Sequence, residues 1–188
     1  MKKLNLGCGE YKKKGYINLD ANKSFNPDII HDLNKFPYPF DDNYFDIIEM
    51  DHVLEHLNDP FIIMKEIHRI IKHNGVLTIK IPHFSRGFTH ADHKRGFDVS
   101  FPYYFNPNAK LSGYSGVDFE IKSISLKWFA QPYIKKIFLS KHQYILGRLF
   151  GFLIDFFANL SPVICSRIWC YWVGGFEEIE YVFIKKND

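Results

Sequence analysis

Short apolar runs alternate with stretches of helical periodicity in the first half of this 188-residue chain, and this alternation is what most constrains its fold. Such a pattern is typical of parallel strands joined by crossover connections. The predicted strands cover residues 3–6, 16–19, 28–31, 45–50 and 76–81. The chain is therefore predicted to be an α/β protein with a mostly parallel sheet.

The clearest helix is predicted between the fourth and fifth of these strands. Asn58 or Asp59 can cap it, and Pro60 suits its first turn, where a missing N–H costs nothing. One face carries an apolar stripe made of Ile63, Met64, Ile67, Ile70 and Ile71. Because Gly75 is a typical residue just past a helix end, we expect the helix to end there.

The second half of the chain has a different character. Residues 83–116 show no sustained period and are predicted to be a long loop with short helical pieces. A strand with a bulge is expected over 117–128, a helix over 134–160 and a final strand over 178–186.

The predicted helix is almost wholly apolar over 145–160. Its polar residues form one narrow stripe of Arg148, Asp155 and Asn159. We expect this helix to pack under its own domain, which we favour over an acceptor pocket, a dimer face or a membrane-surface contact.

Charge and cysteine content exclude several classes of protein. The net charge of +3 is small and its cations are scattered, so no nucleic-acid partner is expected. Three cysteines without zinc-ligand spacing indicate a reducing, cytoplasmic setting. The N-terminus lacks the apolar region of a signal peptide, and the apolar stretch 149–164 is too short and interrupted to span a bilayer. A peripheral contact with a membrane stays open.

A glycine turn follows the first strand. Gly7 and Gly9 permit a tight turn and let a ligand approach the backbone, which a Cβ would obstruct. A dinucleotide-binding fingerprint would continue with a third glycine at the position of Lys12, so an NAD or flavin site is disfavoured. Alone, the turn would be explained as an ordinary β-turn.

Acidic residues end the strands that follow the glycine turn. Asp20 ends the second strand, where a carboxylate can accept both hydroxyls of a ribose. Asp32 ends the third strand, and Asp51 ends the fourth. Each alone could be a turn or helix cap. Their succession after a glycine turn indicates a nucleoside site at the carboxyl edge of the sheet.

These residues, in this order, resemble the class I S-adenosylmethionine (SAM)-dependent methyltransferases, and in particular the small type 11-like group. Leu4–Gly9 (LNLGCG) is similar to motif I of that family, and Gly15–Asp20 (GYINLD) to its ribose-binding strand. Asp32–Asp46 (DLNKFPYPFDDNYFD) and His52–His56 (HVLEH) are similar to two further family segments. The resemblance covers residues 3 to about 83.

The resemblance implies one Rossmann-like domain over 1–188, with a seven-stranded sheet and an antiparallel C-terminal strand. Residues 1–83 would form the SAM-binding half and 84–188 the acceptor side. Only ten residues separate Gly9 from Asp20, which predicts a reduced first crossover. The cofactor would be SAM and the product S-adenosylhomocysteine (SAH).

The resemblance also implies the residues that hold the cofactor. The predicted cofactor-binding residues are Asn5, Gly7, Cys8, Gly9, Asp20, Asp32, Leu33 and Asp51. Gly7 and Gly9 would flank the methionine part, Asp20 the ribose, and Asp32 with Leu33 the adenine. Asn5 stands where the superfamily often has an acidic residue, so its contact is expected to be weaker or made through water.

Three histidines are the candidate catalytic residues. His52 and His56 are four residues apart beyond the fourth strand and are expected to share a helical face. His83 follows the fifth strand, and histidine can exchange protons near neutral pH. Metal dependence is not predicted, although a site made of His90, Asp92 and His93 is conceivable.

The predicted function is methyl transfer from SAM to oxygen or nitrogen of a small-molecule, glycan or lipid-linked acceptor. One alternative is a non-catalytic SAM-binding partner subunit, whose acceptor pocket would be blocked by the aromatic residues of 97–105. The other is an NAD-linked or nucleotide-sugar Rossmann enzyme, disfavoured by Lys12 and by the lack of a Tyr-x-x-x-Lys helix. The sequence leaves both monomer and homodimer open.

Overall fold

A computed structural model describes residues 1–87, 90–109 and 113–186, which contain a seven-stranded sheet. The strands are β1 (Lys3–Leu6), β2 (Ile17–Asp20), β3 (Ile29–Ile30), β4 (Phe45–Asp51), β5 (Ile71–Pro82), β6 (Phe119–Lys127) and β7 (Glu178–Lys185). Their spatial order is β3-β2-β1-β4-β5-β7-β6. Strands β1 to β5 pair in parallel, and β7 runs antiparallel between β5 and β6. The predicted fold class is confirmed.

Five α-helices are present in the described residues. They are α1 (Pro60–Ile70), α2 (Phe84–Gly87), α3 (Pro132–Phe138), α4 (Lys141–Ala158) and α5 (Pro162–Arg167). The single helix predicted over 134–160 is therefore two helices. Ser140 interrupts it, because its side chain caps α4 in a reciprocal capping box with Gln143.

Helix α1 begins as predicted and ends earlier. Asp59 accepts hydrogen bonds from the backbone N–H groups of Phe61 and Ile62, which satisfies two free donors of the first turn. The prediction that the helix continues to Gly75 is wrong. Ile71 is already extended and pairs with Phe45 of β4, so the strand begins four residues before the glycine.

The connections between the strands from β1 to β4 contain no α-helix. No helix forms between β1 and β2, which agrees with the reduced first crossover expected from the sequence, and β2 and β3 are joined by a 3-10 turn, Lys23–Phe25. The loop between β3 and β4 is held instead by Arg69 of α1. Its guanidinium donates to the carbonyl oxygens of Tyr38 and Phe40 and forms an ion pair with Glu66.

The two faces of the sheet differ in composition, because the connections between β1 and β4 are too short to place an α-helix on the second face there. One face carries the core and packs against α1; its central side chains are Leu4, Leu6, Ile48, Met50, Leu77, Ile79, Tyr181 and Phe183. The opposite face is polar and partly open, with the paired residues Asn5, Glu49, Thr78 and Val182 across four neighbouring strands. A parallel sheet with helices packed on both of its faces would carry apolar residues on both faces.

The segment 83–116 is more ordered than the predicted loop. His83 forms a bridge with Phe97, and Phe101–Phe105 is a 3-10 helix. Phe101 and Phe105 are buried in the core, where they pack near Phe61 of α1. Residues 88–89 and 110–112 of this segment lie outside the described residues.

Strand β6 contains the irregularity that its sequence predicted. Its register against β7 shifts between Ile121 and Ser123, which is where a bulge must break the alternation. Among the helices of the described residues, none is long and apolar enough to cross a bilayer.

Candidate active site

The glycine turn lies at the carboxyl edge of β1, and its two glycines are needed for different reasons. Gly7 has φ +65°, and a Cβ there would lie 2.4 Å from Cγ2 of Val53. Gly9 has φ +49°, but a Cβ there would meet nothing within 4 Å. Gly7 therefore lets the turn pack against the segment after β4, whereas Gly9 presents bare backbone to open space, as a bound ligand requires.

Asp20 is tied directly to this turn. Its carboxylate accepts one hydrogen bond from the Gly9 N–H at 2.8 Å and another from the Asn22 N–H at 2.8 Å. The two bonds fall on different oxygens, so each oxygen keeps a lone pair for a further donor. Asp20 is therefore positioned and able to accept hydroxyl groups, as predicted for a ribose.

Asn5 and Cys8 act within the protein. The Asn5 amide is buried and donates to Asn18 Oδ1 at 3.0 Å and to the Tyr11 carbonyl at 3.2 Å. Cys8 is buried, and burial raises the pKa of its thiol. Both side chains shape the loop 7–16, so their predicted cofactor contacts would have to come from the backbone or through water.

Asp32 and Leu33 follow β3 at the same edge of the sheet. Hydrogen bonds from the Asn34 backbone and side chain lower the pKa of Asp32, which keeps it ionised. Leu33 is buried, and its carbonyl accepts a hydrogen bond from the Tyr38 hydroxyl. Asn34 in turn accepts from the Asn58 backbone, which joins this loop to the start of α1.

His52 has the most constrained backbone of the predicted catalytic residues. Its φ is +54°, a conformation that costs energy in a residue with a Cβ. The ring lies between two carboxylates, with Nε2 2.9 Å from Glu178 Oε2 and Nδ1 3.4 Å from Glu55 Oε1. The expectation that His52 and His56 share an α-helical face is wrong, because only a 3-10 turn, Leu54–His56, forms after this residue.

The charge state of His52 follows from these contacts. Burial disfavours the charged ring, but the hydrogen bonds and charges of Glu178 and Glu55 outweigh burial and raise the pKa of His52 to about 9. At neutral pH the ring is an imidazolium held by two carboxylates. In that state it cannot accept a proton from an acceptor, although it can stabilise negative charge.

His56 lies beside a second group of titratable residues. Its Nδ1 is 3.2 Å from Asp92 Oδ2, and its ring is 4.9 Å from that of His93. Ligand atoms of Glu55, His56 and His93 lie within 4.8 Å of one another, as do those of His90, Asp92 and His93. These groups could hold a cation, but Glu55 is already balanced by the His52 imidazolium. Metal independence stays a prediction.

His83 directly follows β5, but it lines neither the cleft beside Asp51 nor the group around His56. Its side chain is fully buried, with Nδ1 2.7 Å from Ser85 Oγ and Nε2 2.8 Å from Ser166 Oγ. Burial lowers the pKa of His83 to about 4, so the ring is neutral. With both nitrogens occupied and no exposed surface, the geometry favours a structural role and gives no support to the predicted catalytic one.

A cleft of about 360 Å³ opens between the ends of β4, β5 and β7 and the helices α3 and α4. Its lining residues include Asp51, Lys80, Tyr133, Arg148, Phe152 and Glu178. Burial raises the pKa of Asp51, with the charges of His52 and Lys80 opposing the rise. Asp51 is thus a carboxylate of increased basicity facing a cleft, which is the property a general base needs.

The cleft is continuous with the predicted cofactor edge. Asp51 directly precedes His52 and Val53, and Val53 touches the glycine turn. From the other side, the ring of Tyr133 on α3 meets that of Tyr11 in the glycine loop at 5.0 Å. The aromatic residues of 97–105 do not line this cleft.

Glu178 and Lys80 were not among the residues predicted from the sequence. Glu178 begins β7, and because β7 is antiparallel to β5, its first residue pairs with Pro82 at the carboxyl edge of β5. The sequence carried a usable indication, since an acidic residue opened the predicted last strand. Lys80 pairs with Asp51 across β4 and β5, and only the strand register reveals that pair.

Comparison with known proteins agrees with this geometry. Residues 16–79 match the family model described as a methyltransferase domain. No curated protein matches the sequence.

Solved structures share the fold along nearly the whole chain. A SAM-dependent methyltransferase from Archaeoglobus fulgidus is 15% identical, with a TM-score of 0.58, over 98% of this chain and 86% of that one. A methyltransferase from Mesorhizobium loti is 12% identical, with a TM-score of 0.54, over 98% and 90%. The [4+2]-cyclase SpnF is 14% identical, with a TM-score of 0.56, over 100% and 76%.

The last of these similarities shows that this fold also serves a cyclase, so the fold by itself does not fix the reaction. Family match and fold together support the methyltransferase interpretation over an NAD-linked one. They imply SAM as the cofactor and SAH as the product. Residues 16–79 match the methyltransferase-domain model, and the chain as a whole has the fold of the class I SAM-dependent methyltransferases.

Proposed function

We propose that this protein transfers the methyl group of SAM to an oxygen or nitrogen atom of a polar acceptor held in the cleft beside Asp51. The observation that carries the proposal is the contact between the two sites. The glycine turn packs against Val53, and Asp51, two residues earlier, lines the cleft. A methyl donor on the turn and an acceptor in the cleft would meet at this junction.

The residues of the glycine turn fit the cofactor. A Cβ on Gly9 would meet nothing within 4 Å, so a ligand can approach the backbone there. Each carboxylate oxygen of Asp20 accepts one hydrogen bond from the protein and can accept another from a ligand. Gly7, Gly9 and Asp20, with Asp32 and Leu33 at the adjacent strand end, would hold SAM. When bound, SAM supplies an electrophilic methyl group that is displaced in line by the acceptor.

Asp51 is the group we assign to the acceptor's proton. As the new bond to the methyl carbon forms and the carbon–sulfur bond breaks, a hydroxyl acceptor must lose its proton. Asp51 is the carboxylate at the junction whose pKa is raised by burial. His52, held as a cation between Glu55 and Glu178, would orient Glu178 and keep the charge of the site balanced.

The mixed lining of the cleft favours a polar acceptor. Three carboxylates and three cations line it together: Asp51, Asp155, Glu178, Lys80, Lys127 and Arg148. Such a lining can hydrogen-bond several hydroxyl groups, as in a sugar, while Phe152 and Tyr133 supply apolar surface for a ring. A glycan or a glycan carried on a lipid satisfies both parts of the lining.

Release of SAH tests the proposal. Purified protein is incubated with SAM and a panel of hydroxyl- and amine-bearing glycans, and SAH is measured by mass spectrometry. With an acceptor found, Asp51→Asn should lower kcat by about 100-fold or more while SAM affinity changes little. A matched control, Asp41→Asn, changes an exposed carboxylate away from the cleft and should have no effect.

The outcomes separate the proposal from its alternatives. If Asp51→Asn weakens SAM binding and leaves kcat unchanged, Asp51 belongs to the cofactor site, as the sequence predicted, and is not the base. SAM binding without SAH release from any acceptor would favour the non-catalytic partner subunit. The open cleft supports catalysis, because the aromatic block that this alternative requires lies elsewhere.

A further inference from the structure

Helix α4 buries small and polar residues and exposes its large apolar residues, whereas an ordinary surface helix buries its apolar side. Its inward positions carry small residues: a Cβ on Gly147 or Gly151 would lie 2.6 or 2.7 Å from atoms of Phe129. The next inward residues are polar, and Asp155 accepts a hydrogen bond from the Trp128 backbone at 2.7 Å. The expectation that this apolar helix packs under its own domain is therefore wrong.

The polar stripe of α4 has a defined partner. Asn159, at the end of the helix, accepts from the Leu126 N–H at 2.8 Å and donates to the Leu126 carbonyl at 3.0 Å. Leu126 belongs to β6, which is the edge strand of the sheet. The polar side of α4 is thus used to cover exposed strand backbone, and its apolar side must face outward.

The outward side forms a large apolar surface, which we call the aromatic face. Six of its aromatic side chains are each more than half exposed: Phe138, Phe150, Phe152, Phe156, Phe157 and Trp172. A Phe or Trp side chain covers roughly 150–250 Å², so these six alone expose roughly 600–1,000 Å². Monomeric proteins rarely expose apolar patches of that size without a partner.

The aromatic face is continuous from α4 to the residues after α5. The rings of Phe156 and Phe157 are 5.4 Å apart. Phe157, Ile164 and Trp172 line one shallow apolar groove of about 410 Å³. The C-terminal end of α4 and the residues after α5 therefore form one apolar patch.

Within the segment 133–172, which forms the aromatic face, the exposed charges have one sign. Asp155 is the only acidic residue between 133 and 172, and its side chain is turned inward beside Lys127. The exposed Lys136, Lys141 and Arg148 carry positive charge. Lys141 and Arg148 are seven residues apart and so lie on one border of the helix's apolar side.

We propose that the aromatic face docks on the surface of an anionic lipid bilayer. Anionic headgroups complement the bordering cations, and the apolar side chains enter the headgroup–acyl boundary, as in a helix that lies in the interface. Tyr171 and Trp172, 67% and 78% exposed, are residue types that favour this depth. A second copy fits less well, because two such faces would bring cations together without an acidic partner.

Docking would also place the cleft near the lipid surface. Arg148 and Phe152 belong both to the border of the aromatic face and to the lining of the cleft. An acceptor carried on a lipid would then reach the cleft without leaving the membrane; this consequence, unlike the docking itself, rests on the proposed function.

Vesicle binding of the full chain tests the proposal. Phosphatidylcholine vesicles with and without phosphatidylglycerol are sedimented with the protein at low salt. We expect co-sedimentation with the anionic vesicles, weakened about tenfold or more by Lys136→Glu combined with Lys141→Glu. Phe156→Ser combined with Phe157→Ser should abolish it, whereas Ile30→Ser, at an equally exposed apolar residue on β3, should not.

A spectroscopic measurement locates the contact. Tryptophan emission should shift to shorter wavelength with anionic vesicles, and Trp172→Phe should remove the shift, since Trp128 and Trp169 are already partly buried. No sedimentation with either vesicle, or sedimentation unchanged by the paired variants, would overturn the proposal. A dimer in light scattering that the paired Phe variant dissociates, without vesicle binding, would assign the face to a second copy.

These results are separable from the proposed function. SAM affinity of the paired Phe variant should equal that of the unchanged protein, because neither residue lies at the glycine turn. Vesicle binding without SAH release would leave docking standing and remove the methyl-transfer proposal. SAH release without vesicle binding would leave the methyl-transfer proposal standing and remove the docking proposal.

Discussion

Helices α1 and α4 are both rich in apolar side chains, and they direct those side chains in opposite ways. In α1 the apolar residues Ile63, Ile67 and Ile70 are buried against the sheet. In α4 the buried residues are Gly151 and Ala158, and the large apolar residues are exposed. Periodicity therefore identifies the faces of a helix, but the partner decides which face is turned inward. The apolar face of the sheet packs against isoleucine side chains, whereas the backbone N–H groups of Leu126 and Trp128 hydrogen-bond to Asn159 and Asp155.

The sharpest test of this contrast is one truncation in each helix. Ile67→Ala should lower the free energy of unfolding by about 2–5 kcal/mol, because a fully buried side chain leaves a cavity. Phe156→Ala removes a larger group that is 57% exposed, and should cost no more than about 0.5 kcal/mol. Urea denaturation measures both. Equal losses would mean that the aromatic face is buried in the protein as it exists in solution.

A second test compares histidines from the two regions through pH. The pKa of His52 is raised to about 9 from 6.5, so its contribution to stability is full below pH 6.5 and is lost as pH rises through 9. The pKa of His83 is lowered to about 4, so its contribution is lost as pH falls from 6.5 through 4.

The pH effect can be assigned with one variant. His52→Gln should remove a slope worth on the order of 2–3 kcal/mol between pH 6.5 and 9 and leave the acidic slope unchanged. Denaturant midpoints measured across pH 4 to 9 give both slopes. If the alkaline slope survives in the variant, His52 is not held as a cation by Glu178 and Glu55.

A third prediction concerns the cofactor region alone. Asp20→Ala should weaken SAM binding by about 10- to 100-fold, the range expected when a charged hydrogen-bond acceptor is lost. Asp41→Ala, at an exposed carboxylate, should leave SAM binding unchanged. Titration calorimetry gives both affinities. Vesicle binding should be the same in both variants, since the aromatic face is formed by another part of the chain.

A fourth prediction addresses how closely α4 packs. Alanine in place of a glycine inside a helix usually stabilises the helix by about 0.5–1 kcal/mol. Gly151→Ala should instead destabilise the protein by about 1–3 kcal/mol, because its Cβ would lie 2.7 Å from Phe129 Cβ. Gly147→Ala meets only the edge of the Phe129 ring, which can turn, and should cost less. A gain in stability at Gly151 would show that α4 is not seated on Phe129.

The smallest expected effect is that of a chelator. EDTA should leave the rate of SAH release unchanged, because the buried Glu55 carboxylate pairs with the His52 imidazolium and needs no metal ion. Loss of activity that Mn²⁺ or Zn²⁺ restores would instead assign the group of Glu55, His56 and His93 to a metal.

Local patterns predicted the cofactor region well. Apolar runs placed β1, β2 and β4 near their observed bounds, and Asp59 was one of the two caps predicted for α1. The positions of Gly7, Gly9 and Asp20 at one edge followed from the rule that parallel strands end together. The end of α1 was predicted wrongly, because it depends on the pairing of Ile71 with Phe45 of β4, which the glycine four residues later does not reveal.

The sequence by itself determined the fold class, the glycine turn and the acidic strand ends, because each depends on neighbours a few residues apart. Tertiary structure alone decided two further properties. His52 became a cation because Glu178, 126 residues away, lies beside it. The apolar side of α4 faced outward because its polar side pairs with the edge strand β6. Burial and charge depend on contacts between distant residues, and the order of residues along the chain does not specify those contacts.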